Sequence, residues 1–152
     1  PPGAGKSTYV LQLASDLSRQ GHRILLVNSE EGFSDSVSER LRRLEIADDN
    51  IVVVPNVNYA SAAAAAEERE CDCLFLDSWS VASWAAPDLD QAREHFVSLV
   101  TLHATKEGEA AGPNAILHVA DVVVEVSALK AKVTKSRWSG AIETEVLTCT
   151  KS

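Results

Sequence analysis

Short, unbroken apolar runs alternate with amphipathic stretches along most of the chain. Val10, Leu13, Ala14 and Leu17 recur at helical spacing, and Gly21 stands where a left-handed C-cap would end that helix. The run Ile24-Leu25-Leu26-Val27 follows, of the kind that suits a strand buried on both faces of a parallel sheet. The pattern then repeats. Ser34 or Asp35 is placed to cap a helix carrying Val37, Leu41 and Leu44 on one face, and Ile51-Val52-Val53-Val54 is the next strand, stopped by Pro55. The alanine run at 62–66 predicts a high-propensity helix over about 61–69, packed closely on the sheet. Cys73-Leu74-Phe75-Leu76 is a further strand, and it ends in Asp77.

Beyond Asp77 the pattern predicts a Trp-rich loop at 79–84, a short helix near 88–96, an apolar strand around 97–103 and a Gly-rich loop at 106–112. A short helix over 113–120 and a strand over 122–126 come next. The segments 132–136 and 142–149 read as two strands joined across Gly140, an antiparallel hairpin at one sheet edge. No repeat or linker interrupts the alternation, so residues 1–152 are expected to form one three-layer α/β domain.

Composition narrows the functional classes. Hydrophobic residues make up 45% of the chain, and no apolar stretch approaches the roughly 18–20 residues that cross a bilayer, so a membrane partner is not expected. Cys71, Cys73 and Cys149 form no C-x-x-C pair and no metal spacing with histidine, which suits a reducing cytoplasm. Period-two alternation puts Cys71 and Cys73 on one strand face, as core packing. A net charge of −8 argues against a general electrostatic grip on nucleic acid, so any such contact must be local. One local candidate exists: Lys130, Lys132, Lys135 and Arg137 fall within eight residues that hold no acid.

The chain opens inside a phosphate-binding pattern. Pro1-Pro2-Gly3-Ala4-Gly5-Lys6-Ser7-Thr8 matches G-x-x-x-x-G-K-S/T without its first glycine. Gly3 and Gly5 let backbone N–H groups turn toward a β-phosphate, Lys6 reaches the β/γ oxygens, and the Ser7 hydroxyl completes a Mg²⁺ shell. A P-loop normally follows a buried strand. That strand and the first glycine would lie upstream of Pro1, and the chain contains no Met, so it reads as an N-terminally truncated fragment whose sheet has a central gap or a missing edge. Asp77 closes its apolar strand where a Walker B carboxylate holds Mg²⁺ through water. Glu30 and Glu31 directly follow the 24–27 strand at the carboxyl edge, where ligands of open α/β sheets bind, and one of them is a candidate general base.

With these residues placed, the chain resembles the ATPase core of the bacterial RadA/Sms DNA-repair and recombination family, of RecA type. The matching pieces are the P-loop, Val27-Asn28-Ser29-Glu30-Glu31, the Arg40…Arg43-Leu44 helix, Leu76-Asp77-Ser78 and above all the run from Thr105 to Pro113. Lys135-Ser136-Arg137-Trp138-Ser139 looks like the family's Lys-Asn-Arg-Phe-Gly signature, with Lys and Arg kept. The resemblance implies a RecA-like three-layer P-loop fold, with a mostly parallel sheet and a C-terminal antiparallel hairpin. It implies ATP and Mg²⁺ bound through Gly3, Ala4, Gly5, Lys6, Ser7 and Thr8, Asp77 as the Walker B acid, Glu30 as the base and Glu31 beside the nucleotide. His103 falls where the family has a polar residue that senses the γ-phosphate, although a strand-end histidine is also an ordinary structural residue. Lys135 and Arg137 become fingers toward a neighbouring subunit's nucleotide, and 106–112 a loop facing DNA. Single-stranded DNA and a homo-oligomeric ring, a hexamer, are the implied partners.

Three departures qualify the resemblance. The family's four-cysteine zinc module and Lon-protease-like domain are absent from these residues, the segment 91–102 is about ten residues short, and Ser139 replaces the signature glycine. A DnaB-type helicase or KaiC-like ATPase core is a rival reading, against which the 105–113 run weighs. A nucleotide-binding interaction fragment without turnover is another, favoured by the shortened middle.

Overall fold

The computed structural model describes residues 5–30, 35–46, 49–104, 110–111, 114–138 and 143–145. Gly3, Ala4, Glu31 and most of the Thr105–Pro113 run lie outside the described residues.

Four parallel strands form the central sheet: β1 (Ile24–Asn28), β2 (Ile51–Pro55), β3 (Cys73–Asp77) and β4 (Val97–Val100), in the order β2-β1-β3-β4. The ladder is continuous, with β4 at one edge. All five residues of β1 and of β3 are buried, as their unbroken apolar runs require of strands covered on both faces. Alternation then divides the core in two. Ile24, Leu26, Cys73 and Phe75 meet Val10, Leu11 and Ala14 of α1 (Lys6–Arg19), with Leu41 of α2 (Asp35–Arg43) against the same cluster. Leu25, Val27, Leu74 and Leu76 meet Ala62 and Ala66 of α3 (Tyr59–Glu68) and Leu89 and Ala92 of α4 (Ala86–His95). The alanines of α3 have no bulk to hold the helix away, which permits close packing on the sheet. Three layers result.

Helix ends follow local chemistry. Gly21 ends α1 at φ 93°, with the His22 N–H bonded to the Leu17 carbonyl, so the C-cap expected from sequence is present. Glu45 and Glu70 adopt the same left-handed backbone after α2 and α3 without being glycine. Their following residues, Ile46 and Cys71, close the motif onto the carbonyls of Leu41 and Ala66. Asn58 caps α3 by accepting from the Ser61 N–H at 2.9 Å, which starts the helix earlier than its alanine run suggests. Trp84 is buried beside it, donating Nε1–H to the Val57 carbonyl at 2.9 Å and meeting Tyr59 edge-on at 5.3 Å between centroids.

Three features depart from the sequence reading. The apolar stretch at 97–103 divides: β4 ends at Val100, and β5 (His103–Ala104) pairs antiparallel with β6 (Ala110–Ala111). The C-terminal hairpin belongs to a separate three-stranded antiparallel sheet, β7 (Val122–Ser127), β8 (Lys130–Ser136) and β9 (Glu143–Glu145), in which β8 is central. The β7–β8 turn lacks any Gly or Asn; Ala128 and Leu129 both take positive φ, 47° and 62°, which hid it from a sequence reading. Finally, β3 begins at Cys73, so Cys71 is outside the strand's alternation and packs in the cluster opposite to that of Cys73.

Candidate nucleotide site at the carboxyl edge of the sheet

Parallel pairing brings the ends of β1 and β3 level: Asn28 is the register partner of Asp77, and the Ser29 N–H donates to the Asp77 carbonyl at 2.7 Å. Glu30 leaves β1 immediately beyond this junction. Its Oε1 accepts from Ser78 Oγ at 2.9 Å and also bonds His103 Nε2, from β5. Three separate strand ends therefore converge on one carboxylate. Partial burial pushes the Glu30 carboxyl up, but the hydrogen bonds from His103 and Ser78, with the charges of His103 and Lys6, outweigh it and hold the group below its ordinary value.

Asp77 is buried at this edge, and its Oδ1 accepts from Thr101 Oγ1 at 2.6 Å. The hydroxyl orients the carboxylate and leaves its other oxygen unengaged by that bond. Ser29 Oγ is buried nearby in the chain with no hydrogen-bond partner among the described residues, an orphan that a water or a ligand oxygen would satisfy.

The amino end of α1 faces the same chemistry. Gly5 is its N-cap at φ 95°, a backbone that only glycine adopts without strain, and no side chain caps the helix. Its first turn holds no acid. Lys6, Ser7 and Thr8 thus present unfilled N–H groups and the positive end of the helix dipole, the arrangement that receives phosphate. The charge of Lys6 is felt at Glu30, which ties the helix end to the carboxylate. The Ser7 hydroxyl and the Asp77 carboxylate are both oxygen donors, the kind that hard Mg²⁺ takes.

Ser78 and Thr101 were missed by the sequence reading. Each is a hydroxyl at the polar end of an apolar run, a signal too common to single out before the strands are set side by side.

Lys135 is the second-last residue of β8, which ends at Ser136 as the sequence pattern predicts, and Arg137 lies in the bend that follows. Lys135 Nζ donates to the carbonyls of Leu117 and His118 at 2.9 and 3.1 Å, satisfying the end of α5 (Asn114–Val119). Arg137 Nε pairs with Asp121 Oδ1 at 3.0 Å and keeps 55% of its side chain exposed. The basic run also loses its isolation in the folded chain. Register sets Lys132 opposite Glu125 and Glu143, and Lys130 opposite Glu145.

No family model matches the chain. It is 33% identical to the DNA repair protein RadA of Chlamydia muridarum (strain MoPn / Nigg) over 140 residues, covering 81% of this chain and 30% of that protein. The RadA of Aquifex aeolicus (strain VF5) is 29% identical over 172 residues, 98% of this chain and 38% of the relative. That match is longer than the 152 residues available here, so the relative carries residues without a counterpart in this chain. The chain spans about a third of the length of these curated relatives. Among solved structures, the flagellar accessory protein FlaH of Methanocaldococcus jannaschii superposes with a TM-score of 0.63 at 14% identity, covering 96% of this chain and 82% of that one, a likeness of fold. The chain is homologous to the ATPase region of the bacterial RadA proteins and is built on their RecA-like α/β fold.

Proposed function

We propose that this chain is an ATP-binding and ATP-hydrolysing motor core of RecA/RadA type, acting in the cytoplasm on single-stranded DNA during recombination and repair. The observation that carries the reading is the convergence of Lys6, Asp77 and Glu30 at one sheet edge beside an uncapped, acid-free helix N-terminus. In this reading Gly3, Ala4, Gly5, Lys6, Ser7 and Thr8 cradle the phosphates, with Glu31 beside the nucleotide. Ser7 and Asp77 hold Mg²⁺, which when bound neutralises charge on the β- and γ-phosphates. Glu30 accepts the proton of the attacking water, and Ser78 and His103 orient it. His103 reaches Glu30 directly, so a γ-phosphate that draws on the histidine would alter the grip on the base.

The finger role falls to Arg137 more readily than to Lys135. Arg137 needs only to exchange Asp121 for a neighbouring subunit's phosphate, whereas Lys135 closes the end of a helix. Action in trans requires a homo-oligomer, for which a hexameric ring is the proposed form. The segment 106–112 is the proposed DNA contact.

One observation favours a second reading, a nucleotide-binding module without turnover. The Glu30 carboxylate is held by two donors below its ordinary value and is a weakened base in that state. Measuring ATP binding and hydrolysis, with and without single-stranded DNA, separates the two. DNA-stimulated turnover supports the motor, binding without turnover supports the module, and neither binding nor turnover overturns both.

A further inference from the structure

The opposite edge of the sheet holds a second cluster of side chains with ligand chemistry. His22 follows the C-cap of α1, Asp72 precedes β3 and Cys73 is its first residue. One ligand atom from each, the imidazole nitrogen, a carboxylate oxygen and the thiol sulfur, all lie within 4.8 Å of one another. His22 Nδ1 and Asp72 Oδ2 are already 2.5 Å apart. Because β1 and β3 run parallel and Ile24 is the register partner of Cys73, this cluster sits at the amino edge. Four residue steps along β3 separate Cys73 from Asp77, roughly 13 Å at ~3.3 Å per residue.

We propose that His22, Asp72 and Cys73 hold one zinc-class divalent ion, with water in the fourth position. The donor set is nitrogen, oxygen and sulfur, which suits Zn²⁺ or Co²⁺ and excludes Mg²⁺. Ligand atoms around a tetrahedral zinc lie about 3.5 Å apart, so Cys73 Sγ needs to close slightly and the His22–Asp72 pair to open by about 1 Å. Both residues have the freedom to do so, with 41% and 51% of their side chains exposed.

Each ligand is oriented by a neighbour. Asp72 Oδ1 accepts the Arg23 N–H at 2.8 Å, which aims the other oxygen at His22. The His22 backbone is pinned to Leu17, and the N–H groups of Asp72 and Cys73 both donate to the Arg23 carbonyl. Burial pushes the Asp72 carboxyl up, but the hydrogen bonds from His22 and the Arg23 N–H outweigh it and hold the group below its ordinary value. Burial pushes the Cys73 thiol up to about 11, so the metal must displace its proton to solvent, leaving two negative charges to neutralise the dication. Bound there, the ion would tie the end of α1 to the start of β3 and stabilise the fold by mass action.

The test is Co²⁺ added alone to the full chain. One equivalent should give tetrahedral d–d bands and a thiolate-to-cobalt charge-transfer band, both removed by Zn²⁺ and not by excess Mg²⁺, and Zn²⁺ should raise the melting temperature. Cys73→Ala should abolish the charge-transfer band, while Cys71→Ala and Cys149→Ala leave it. His22→Ala and Asp72→Asn should each weaken binding at least tenfold. No thiolate band, a band that survives Cys73→Ala, or affinity untouched by both other variants overturns the proposal. If Cys73→Ala does not fold, the His22 and Asp72 variants, at partly exposed positions, decide it.

Discussion

Glu30 and His103 are 73 residues apart in sequence and share a hydrogen bond between Oε1 and Nε2 at the carboxyl edge of the sheet. A candidate base is thereby coupled to the residue proposed to register a bound phosphate. Glu30→Gln should abolish hydrolysis, a loss on the order of 10²–10⁴-fold, while equilibrium ATP binding is kept. An active Glu30→Gln with an inactive Glu31→Gln would move the base to the neighbouring residue.

The same contact has a pH signature. Glu30 has a lower pKa folded than unfolded, so its contribution to stability is full above its ordinary value of 4.5 and is lost as pH falls through the folded value. His103→Ala removes the leading cause of that depression. The variant should therefore lose less melting temperature than the parent between about pH 7 and about pH 4. Parallel curves for the two proteins would show that the contact does not survive in solution.

In the proposed site Lys6 acts on ground state and transition state alike. Lys6→Ala should lose ATP affinity and turnover together, because a charge-assisted contact to the phosphates is removed from both. Retained affinity by fluorescent-nucleotide titration would place the phosphates elsewhere.

The β7–β8 turn carries two left-handed residues with side chains, Ala128 and Leu129. Replacing the pair with Asn-Gly, which favours this turn, should stabilise the protein by roughly 1 kcal/mol. Denaturant unfolding measures it, and an unchanged or lower midpoint would mean that the turn has another geometry in solution.

Action across a subunit interface is tested by mixing Arg137→Ala protein with Lys6→Ala protein. If each is inactive alone, hybrids should regain part of the activity, since some junctions then join an intact P-loop to an intact Arg137. No recovery at any ratio, with assembly confirmed by size, leaves Arg137 as the partner of Asp121 only.

The layers, the buried strands and the start of α1 were legible in the sequence because each rests on local pattern. Unbroken apolar runs such as Ile24 to Val27 and Cys73 to Leu76 need cover on both faces, and the Gly5-Lys6-Ser7 start of α1 carries its chemistry in adjacent residues. Tertiary structure alone decided which side chains meet. Ser78 reaches Glu30 and Thr101 reaches Asp77 because parallel registry aligns strand ends that the chain visits far apart, and His103 comes to Glu30 from β5 of the separate antiparallel pair. His22 meets Asp72 and Cys73 for the same reason at the other edge. Lys135 closes the end of α5 by donating to the carbonyls of Leu117 and His118, a contact that no spacing in the sequence announced. Periodicity reports how much of a segment is covered; it carries no information about which distant polar group fills the last hydrogen bond.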